Sequence, residues 1–534
     1  MRYVAAYLLA VLGGKESPAA GDIEKILSSV GIEVDSARLS QVVAQLKGKS
    51  IDDLIKEGRE KLSSMPVGGG AVAASAAAPA AAAEEKKTEK KEEKKEESES
   101  EDDDMGFVSV FPTTNGKVFD YQPQQVHLAF GDNVSEIVVT WSTMDDSTES
   151  VVEYGINGYA LTARGSSKKF VDGGPAQHSQ YIHKVTLSDL MPNAKYVYHC
   201  GGKLGWSPEF WFVTTSNETT APIHVALFGD MGNENAQSLA RLQEDTQRRM
   251  YDAVIHVGDF AYDMNSENAL VGDQFMRQIE SLAAYVPYMV CAGNHEEKYN
   301  FSNYRARFNM PGNTDSLMYS FNMGPVHFIG ISTELYYFMN YGLKPLVNQY
   351  EWLEQDLIEA TKPENRKLRP WIITFGHRPM YCSNDNDNDC THSQTLIRVG
   401  LPFTHFFGLE ELFYKYGVDV EIWAHEHSYE RLWPIYDYKV YNGSHDAPYT
   451  NPNAPVHLVT GSAGCKEGRE PFIRKIPEWS AFHSQDYGYT RMKAFNTTHL
   501  YFEQISDDKD GAIIDSFWII KDKHGEYTHA SQQN

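Results

Sequence analysis

Positive charge is in short supply in this chain: 48 Lys and Arg stand against 73 Asp and Glu over 534 residues, a formal charge of −25. That balance argues against direct nucleic-acid binding through a broad basic face and against attachment to an anionic membrane surface. Long apolar runs are also missing, and none approaches the length of a membrane span. Arg2 followed by Tyr3 to Leu12 could pass for a secretory leader, but the residues that follow favour a folded helix. Cysteine is scarce, five residues with none before Cys200. Because no thiolate stands at any motif described below, a structural zinc knuckle is the poorer reading of them. With 41% hydrophobic residues, the chain is long enough for several cores.

What the chain does have is a set of ligand-type residues at strand ends. Ile223 to Leu227 and Ala253 to Val257 are short apolar runs rich in β-branched residues, and Ala236 to Tyr251 between them has helical spacing. The stretch predicts one βαβ unit with parallel strands. Asp230 follows the first strand and Asp259 the second, at the crevice where open α/β sheets bind ligands. Downstream, the runs Tyr288 to Ala292, Trp371 to Phe375 and Val418 to Trp423 end in Gly293-Asn294-His295-Glu296, Gly376-His377 and Ala424-His425-Glu426-His427. Taken singly, each motif is a turn. Five in order, each closing an apolar run, form a mixed oxygen and nitrogen donor set suited to iron, zinc or manganese. The set exceeds one ion's need, whereas two ions about 3.5–4 Å apart sharing a carboxylate would use it and serve in-line displacement at phosphorus.

This ordered set resembles the purple acid phosphatases of the metallophosphoesterase superfamily, of the animal iron/zinc type, from about Gln122 to the end. The resemblance implies acid hydrolysis of small phosphate monoesters at a binuclear centre, with hydroxide generated from a bound water. It implies a ferric site of Asp230, Asp259, Tyr262 and His427, and a divalent site of zinc, ferrous iron or manganese held by Asp259, Asn294, His377 and His425. Ala424 departs from the family's Gly, at little expected cost. Phe260-Ala261-Tyr262 replaces the Asp-Arg-Gly of Ser/Thr protein phosphatases, which favours the purple type, with Tyr262 as a phenolate ligand. His295 is a candidate donor to the phosphoryl group or leaving oxygen. Plant relatives carry a histidine pair in the loop after the lone metal histidine. Here that loop has none at the expected place, and His392 is the candidate stand-in.

The front of the chain has another character. Ile23, Ile26, Leu27 and Val30, then Leu39, Val42, Val43 and Leu46, have helical spacing, and Ser50 with Asp53 makes a capping-box signature. An alanine-rich stretch to Ala83 and a charged run from Glu84 to Asp104 cannot bury a core. Residues 1 to about 107 resemble the acidic P-type phosphoprotein of the eukaryotic ribosomal stalk. That resemblance implies pairing of residues 1–66 with a partner P-protein, and phosphorylation at Ser98 and Ser100. The tail continues as Val108-Ser109-Val110-Phe111 where the family stops, so its factor-binding tip is incomplete.

The expected architecture is therefore multidomain. A small all-α domain (1–66) leads into a disordered hinge and linker (67–121). An all-β fibronectin type III-like sandwich (122–215) and an α/β metallophosphoesterase sandwich (221–433) follow, and residues 434–534 complete the second half of the latter. Sequons at Asn133, Asn217, Asn300, Asn442 and Asn496, and the candidate disulfide Cys382 with Cys390, all lie in the phosphatase part. That part reads as secreted or lysosomal, whereas the joined chain without a clear leader reads as cytoplasmic. Three readings compete: a binuclear phosphomonoesterase, a translation-elongation stalk component with an appended domain, and two neighbouring genes joined in one prediction.

Overall fold

The computed structural model of the chain describes residues 18–29, 118–133, 135–385, 390–391 and 394–527, with single positions 7, 10, 15, 34, 39 and 43. The chain divides into two units, Met1–Val108 and Ser109–Asn534. In the first, the helix Ala20–Ser29 buries Ile23 and Leu27 with Tyr7 and Leu39, as the helical spacing predicts. The capping-box signature, the alanine-rich and charged runs, Ser98 and Ser100 lie outside the described residues.

In the second unit, two antiparallel sheets face each other between Gln124 and Val213, one of four strands and one of five. Trp141 is fully buried there and stacks on His183 with ring centroids 4.9 Å apart. The sandwich that follows has two mixed sheets. In the six-stranded sheet, Tyr288–Cys291, Ala253–Val257 and Ile223–Phe228 run parallel, and Gly488–Ala494, His499–Ser506 and Ala512–Ile520 continue it antiparallel. In the seven-stranded sheet, Val326–Ile331, Trp371–Phe375, Val420–Trp423 and Val456–Thr460 are the parallel centre. Its strands Trp371–Phe375 and Val420–Trp423 are buried at every residue, the pattern of a sheet covered on both faces.

Two expectations need correction. Residues 434–534 do not complete one half of the sandwich, because among them Val456–Thr460 joins the seven-stranded sheet and His499–Ser506 the six-stranded one. The helix expected over Ala236 to Tyr251 spans only Leu239–Gln247, and Arg249 just beyond it adopts a left-handed φ of 59°, which no α-helix continues through.

A buried ionic lock joins the β-sandwich to the α/β sandwich. Arg307 Nη1 donates to Asp273 Oδ1 at 2.8 Å and to Gln125 Oε1 at 3.2 Å, while Gln180 and His178 reach Asp273 at 2.8 and 2.9 Å. Both ion-pair side chains are 1% exposed. Burial opposes the charge on Asp273, but Arg307, Gln180 and His178 outweigh it and hold the carboxyl below its usual range. Arg307→Met strands that carboxylate, so it should destabilise the protein by about 3–5 kcal/mol, read as a lowered Tm at neutral pH. A depressed folded pKa contributes stability that is present above the ordinary carboxylate value of about 4 and is lost as pH falls below it. The Tm gap between wild type and variant should therefore narrow in acid, and a gap independent of pH would dismiss the lock.

Candidate metal centre

Every strand expected to carry a ligand brings it to one end of the sandwich. Asp230, Asp259 and Asn294 follow the three parallel strands of the six-stranded sheet, whereas His377, His425 and His427 follow two central strands of the seven-stranded sheet. Asp259, His377 and His425 offer donor atoms within 4.8 Å of one another. His377 Nε2 lies 3.2 Å from Asp259 Oδ2, 3.1 Å from Asn294 Oδ1 and 3.2 Å from His425 Nδ1. A second set forms around Tyr262, whose hydroxyl donates to Asp230 Oδ1 at 3.3 Å and lies 2.7 Å from His427 Nε2. All seven metal-ligand candidates thus fall into two neighbouring sets.

Local backbone makes this approach feasible. Asp230, Asp259, Tyr262 and His425 adopt φ of 56°, 52°, 54° and 71°, the left-handed region that non-glycine residues rarely occupy. Strain of this kind, of order 1–3 kcal/mol per residue, persists where surroundings over-determine it. Gly293 is obligatory in this setting, because a Cβ there would come within 2.2 Å of Asp259 Oδ1. Opposite Gly229, the methyl of Ala424 takes up the space a side chain would need, 2.3 Å from such a Cβ.

The donor chemistry fits cations. His377 gives its outer Nδ1 to the Val257 carbonyl at 2.9 Å and His427 gives its own to the Gly468 carbonyl at 3.1 Å, so each turns its Nε2 inward, where it would give a lone pair to a cation. Burial, with Asp259 nearby, pushes the Asp230 carboxyl up. Burial also opposes the Asp259 charge, but His377 and His295 hold that carboxyl well below the usual range. Burial and the Asp230 charge push the Tyr262 phenol up, so only a strongly Lewis-acidic cation would draw off its proton.

Several partners escaped the sequence reading. Glu296 is buried and accepts from the backbone N–H of Asp259, Phe260 and Gly293 at 2.9, 3.0 and 2.9 Å, tying two ligand loops together. His295 Nδ1 sits 2.9 Å from Asp263 Oδ1, and its Nε2 lies 3.6 Å from Glu467 and 3.9 Å from Asp259. Burial disfavours the His295 imidazolium, yet the Asp263 bond and Asp259 charge push its pKa up to about 9. Arg378, beside His377, and buried Glu334 were also missed; acid after Asn-His and Arg after a ligand His were the available signals. His392 lies outside the described residues. Cys382 and Cys390 form a disulfide, and Cys200, Cys291 and Cys465 are buried thiols. Of the sequons, Asn133, Asn217, Asn300 and Asn496 are exposed, and Asn442 is half-buried.

Comparison with known proteins agrees with this layout. Residues 223–429 match the family model "Calcineurin-like phosphoesterase", 123–214 the "Purple acid Phosphatase, N-terminal domain", and 454–516 the "Iron/zinc purple acid phosphatase-like protein C". Residues 17–111 match "60s Acidic ribosomal protein". Acid phosphatase type 7 of Danio rerio is 57% identical over 410 residues, covering 76% of this chain and 92% of that protein. The Homo sapiens protein of the same name is 52% identical over 406 residues, with the same shares. The solved purple acid phosphatase PPD1 of yellow lupin, Lupinus luteus, superposes with a TM-score of 0.63 at 28% identity, over 75% of each chain.

The Glu296 bracket generates a test. Glu296→Ala leaves three buried amides without acceptors, at about 1–3 kcal/mol each, so Tm should fall and bound metal should drop with it. Full metal content by elemental analysis, at an unchanged Tm, would show that Asp259 is held by other means.

Proposed function

The chain belongs to the purple acid phosphatases, with a 60S acidic ribosomal protein region ahead of them, and on that premise we propose that it hydrolyses phosphate monoesters in acid at a binuclear centre. Asp230, Asp259, Tyr262 and His427 would hold ferric iron. Asp259, Asn294, His377 and His425 would hold zinc, ferrous iron or manganese, with Asp259 shared. The observation that carries this reading is the convergence of these two donor sets on one end of the sandwich. When bound, the cations supply Lewis acidity that activates water and neutralises phosphate charge.

The remaining work belongs to the protein. His295, its Nδ1 fixed on Asp263, presents Nε2 toward Asp259 and is placed to give a proton to the leaving oxygen. Its ring lies 4.5 Å from that of Tyr262, which keeps it beside the ferric set. Glu296 keeps Asp259 in place, and the carbonyls of Val257 and Gly468 keep two imidazoles turned inward. Exposed sequons and the Cys382 to Cys390 disulfide support an oxidising, secretory compartment for this part. The match over residues 17–111 supports, as a second reading, pairing of the front segment with a P-protein.

His295→Ala should lower kcat by about 10²–10⁴, with a larger loss for phenyl phosphate than for p-nitrophenyl phosphate, since the better leaving group needs less protonation. An equal loss on both substrates would assign His295 to positioning alone. Tyr262→Phe keeps the ring and removes the oxygen, so the variant should fold, lose the visible phenolate-to-iron absorption and hold iron less firmly. Wild type with full iron by elemental analysis and no visible band would refute phenolate ligation.

A further inference from the structure

The residue after ligand candidate His377 is an arginine, and the fold invests several contacts in fixing it. We propose that Arg378 is a substrate-binding residue that grips a phosphate oxygen on the divalent side of the centre. This rests on the phosphatase reading above and deepens it, by naming a side chain that would hold the substrate's phosphate.

The anchoring comes first. Arg378 Nε donates to both carboxylate oxygens of Glu334, at 3.1 and 3.0 Å, and its backbone N–H donates to Thr333 Oγ1 at 3.0 Å. The guanidinium lies 4.4 Å over the ring of Tyr337. Glu334 is fully buried, whereas the arginine side chain keeps 16% of its surface exposed. A planar guanidinium held by its Nε edge turns Nη1, on the opposite edge, away from the anchor. Here Nη1 reaches His425 Nε2 at 3.0 Å.

That contact is of the wrong kind to orient a ligand. Histidines that bind metals give their outer N–H to a carboxylate or carbonyl, and His377 and His427 do so with Val257 and Gly468. His425 faces a cationic donor instead. A guanidinium suits the oxygens of a phosphate, which it binds through short, charge-assisted hydrogen bonds. With Nδ1 of His425 given to a cation, its Nε2 would carry the ring proton, so Nη1 would lose that acceptor and be left to meet a phosphate oxygen instead. His295 then stands beside the Tyr262 set and Arg378 beside the His377 set, so the two lie on different sides of the site.

The test uses the full chain loaded with iron and zinc, titrated calorimetrically with inorganic phosphate, so that binding is read without turnover. Arg378→Met should raise the Kd for phosphate about tenfold or more, and KM for p-nitrophenyl phosphate should rise in parallel while metal content stays at wild-type level. Arg378→Lys, which keeps a point charge without the fork, should fall between. Should the Met variant fail to fold because Glu334 is stranded, the double variant Glu334→Gln, Arg378→Met removes both charges and carries the same expectation. A Kd unchanged within about twofold, or a weakening that added zinc fully restores, would overturn the proposal and leave Arg378 as a brace for His425. Wild type that binds phosphate but hydrolyses no p-nitrophenyl phosphate sinks the catalytic reading and leaves this comparison standing. Wild type that binds no phosphate sinks both.

Discussion

Asp230 and Asp259 are both buried, at the ends of adjacent parallel strands, and two carboxylates withdrawn from water beside each other repel. Burying an unpaired charge costs several kcal/mol even after relaxation, so the arrangement is stable only if positive charge is supplied. Within the chain, His377 and His295 give part of it, and both are drawn toward Asp259. Burial, together with the Asp259 charge, still pushes Asp230 up, so a positive charge beside it would stabilise the carboxylate. Cations held by these ligand candidates would supply that charge. The backbone strain at four ligand candidates, the glycine under Asp259 and the Glu296 bracket are the means by which the fold keeps these groups close enough for it to be needed.

Much of the centre was legible because every ligand candidate lies two to five residues past the end of a buried strand. Strand ends are marked in the sequence, and the parallel βαβ logic places those ends together. What supports the ligands was less legible, because its geometry is tertiary. Glu334 meets Arg378 across 44 residues and Glu296 reaches Asp259 across 37; nothing in the spacing of either announces the pairing. The division of the C-terminal strands between two sheets escaped for the same reason. Val456 to Thr460 and Leu500 to Ile505 have the same apolar character, and only their hydrogen-bonding partners, Val420–Trp423 for one and Gly488–Ala494 for the other, distinguish them.

Ala424 shows how a departure from a motif is accommodated by its neighbour. The methyl group stands in the space opposite Gly229, itself part of the first ligand motif, and the two positions could not both carry a side chain. The backbone of the next residue, His425, still donates to Asp230 Oδ2 at 2.9 Å, so the two motifs remain hydrogen-bonded to each other. The small residue at one motif thus admits the slightly larger one at the other.

The β-sandwich carries none of the ligand candidates, yet it bears on where they sit. Asp273 lies near the start of the helix Leu270–Ala283, directly after the loop that holds Asp259, Tyr262 and Asp263. Arg307 closes the segment that begins with Asn294 and His295, and it also donates to the Ala269 carbonyl at 3.2 Å. The Arg307 to Asp273 pair therefore ties the far ends of the two ligand loops, just as Glu296 ties their near ends. Gln125, His178 and Gln180 come from the β-sandwich and complete that tie from outside. A hydrogen-bonded buried pair is sensitive to loss of any member, so the packing role of the β-sandwich extends to the geometry of Asp259. Its removal should reach the metal centre through these two loops before it reaches the strands beneath them.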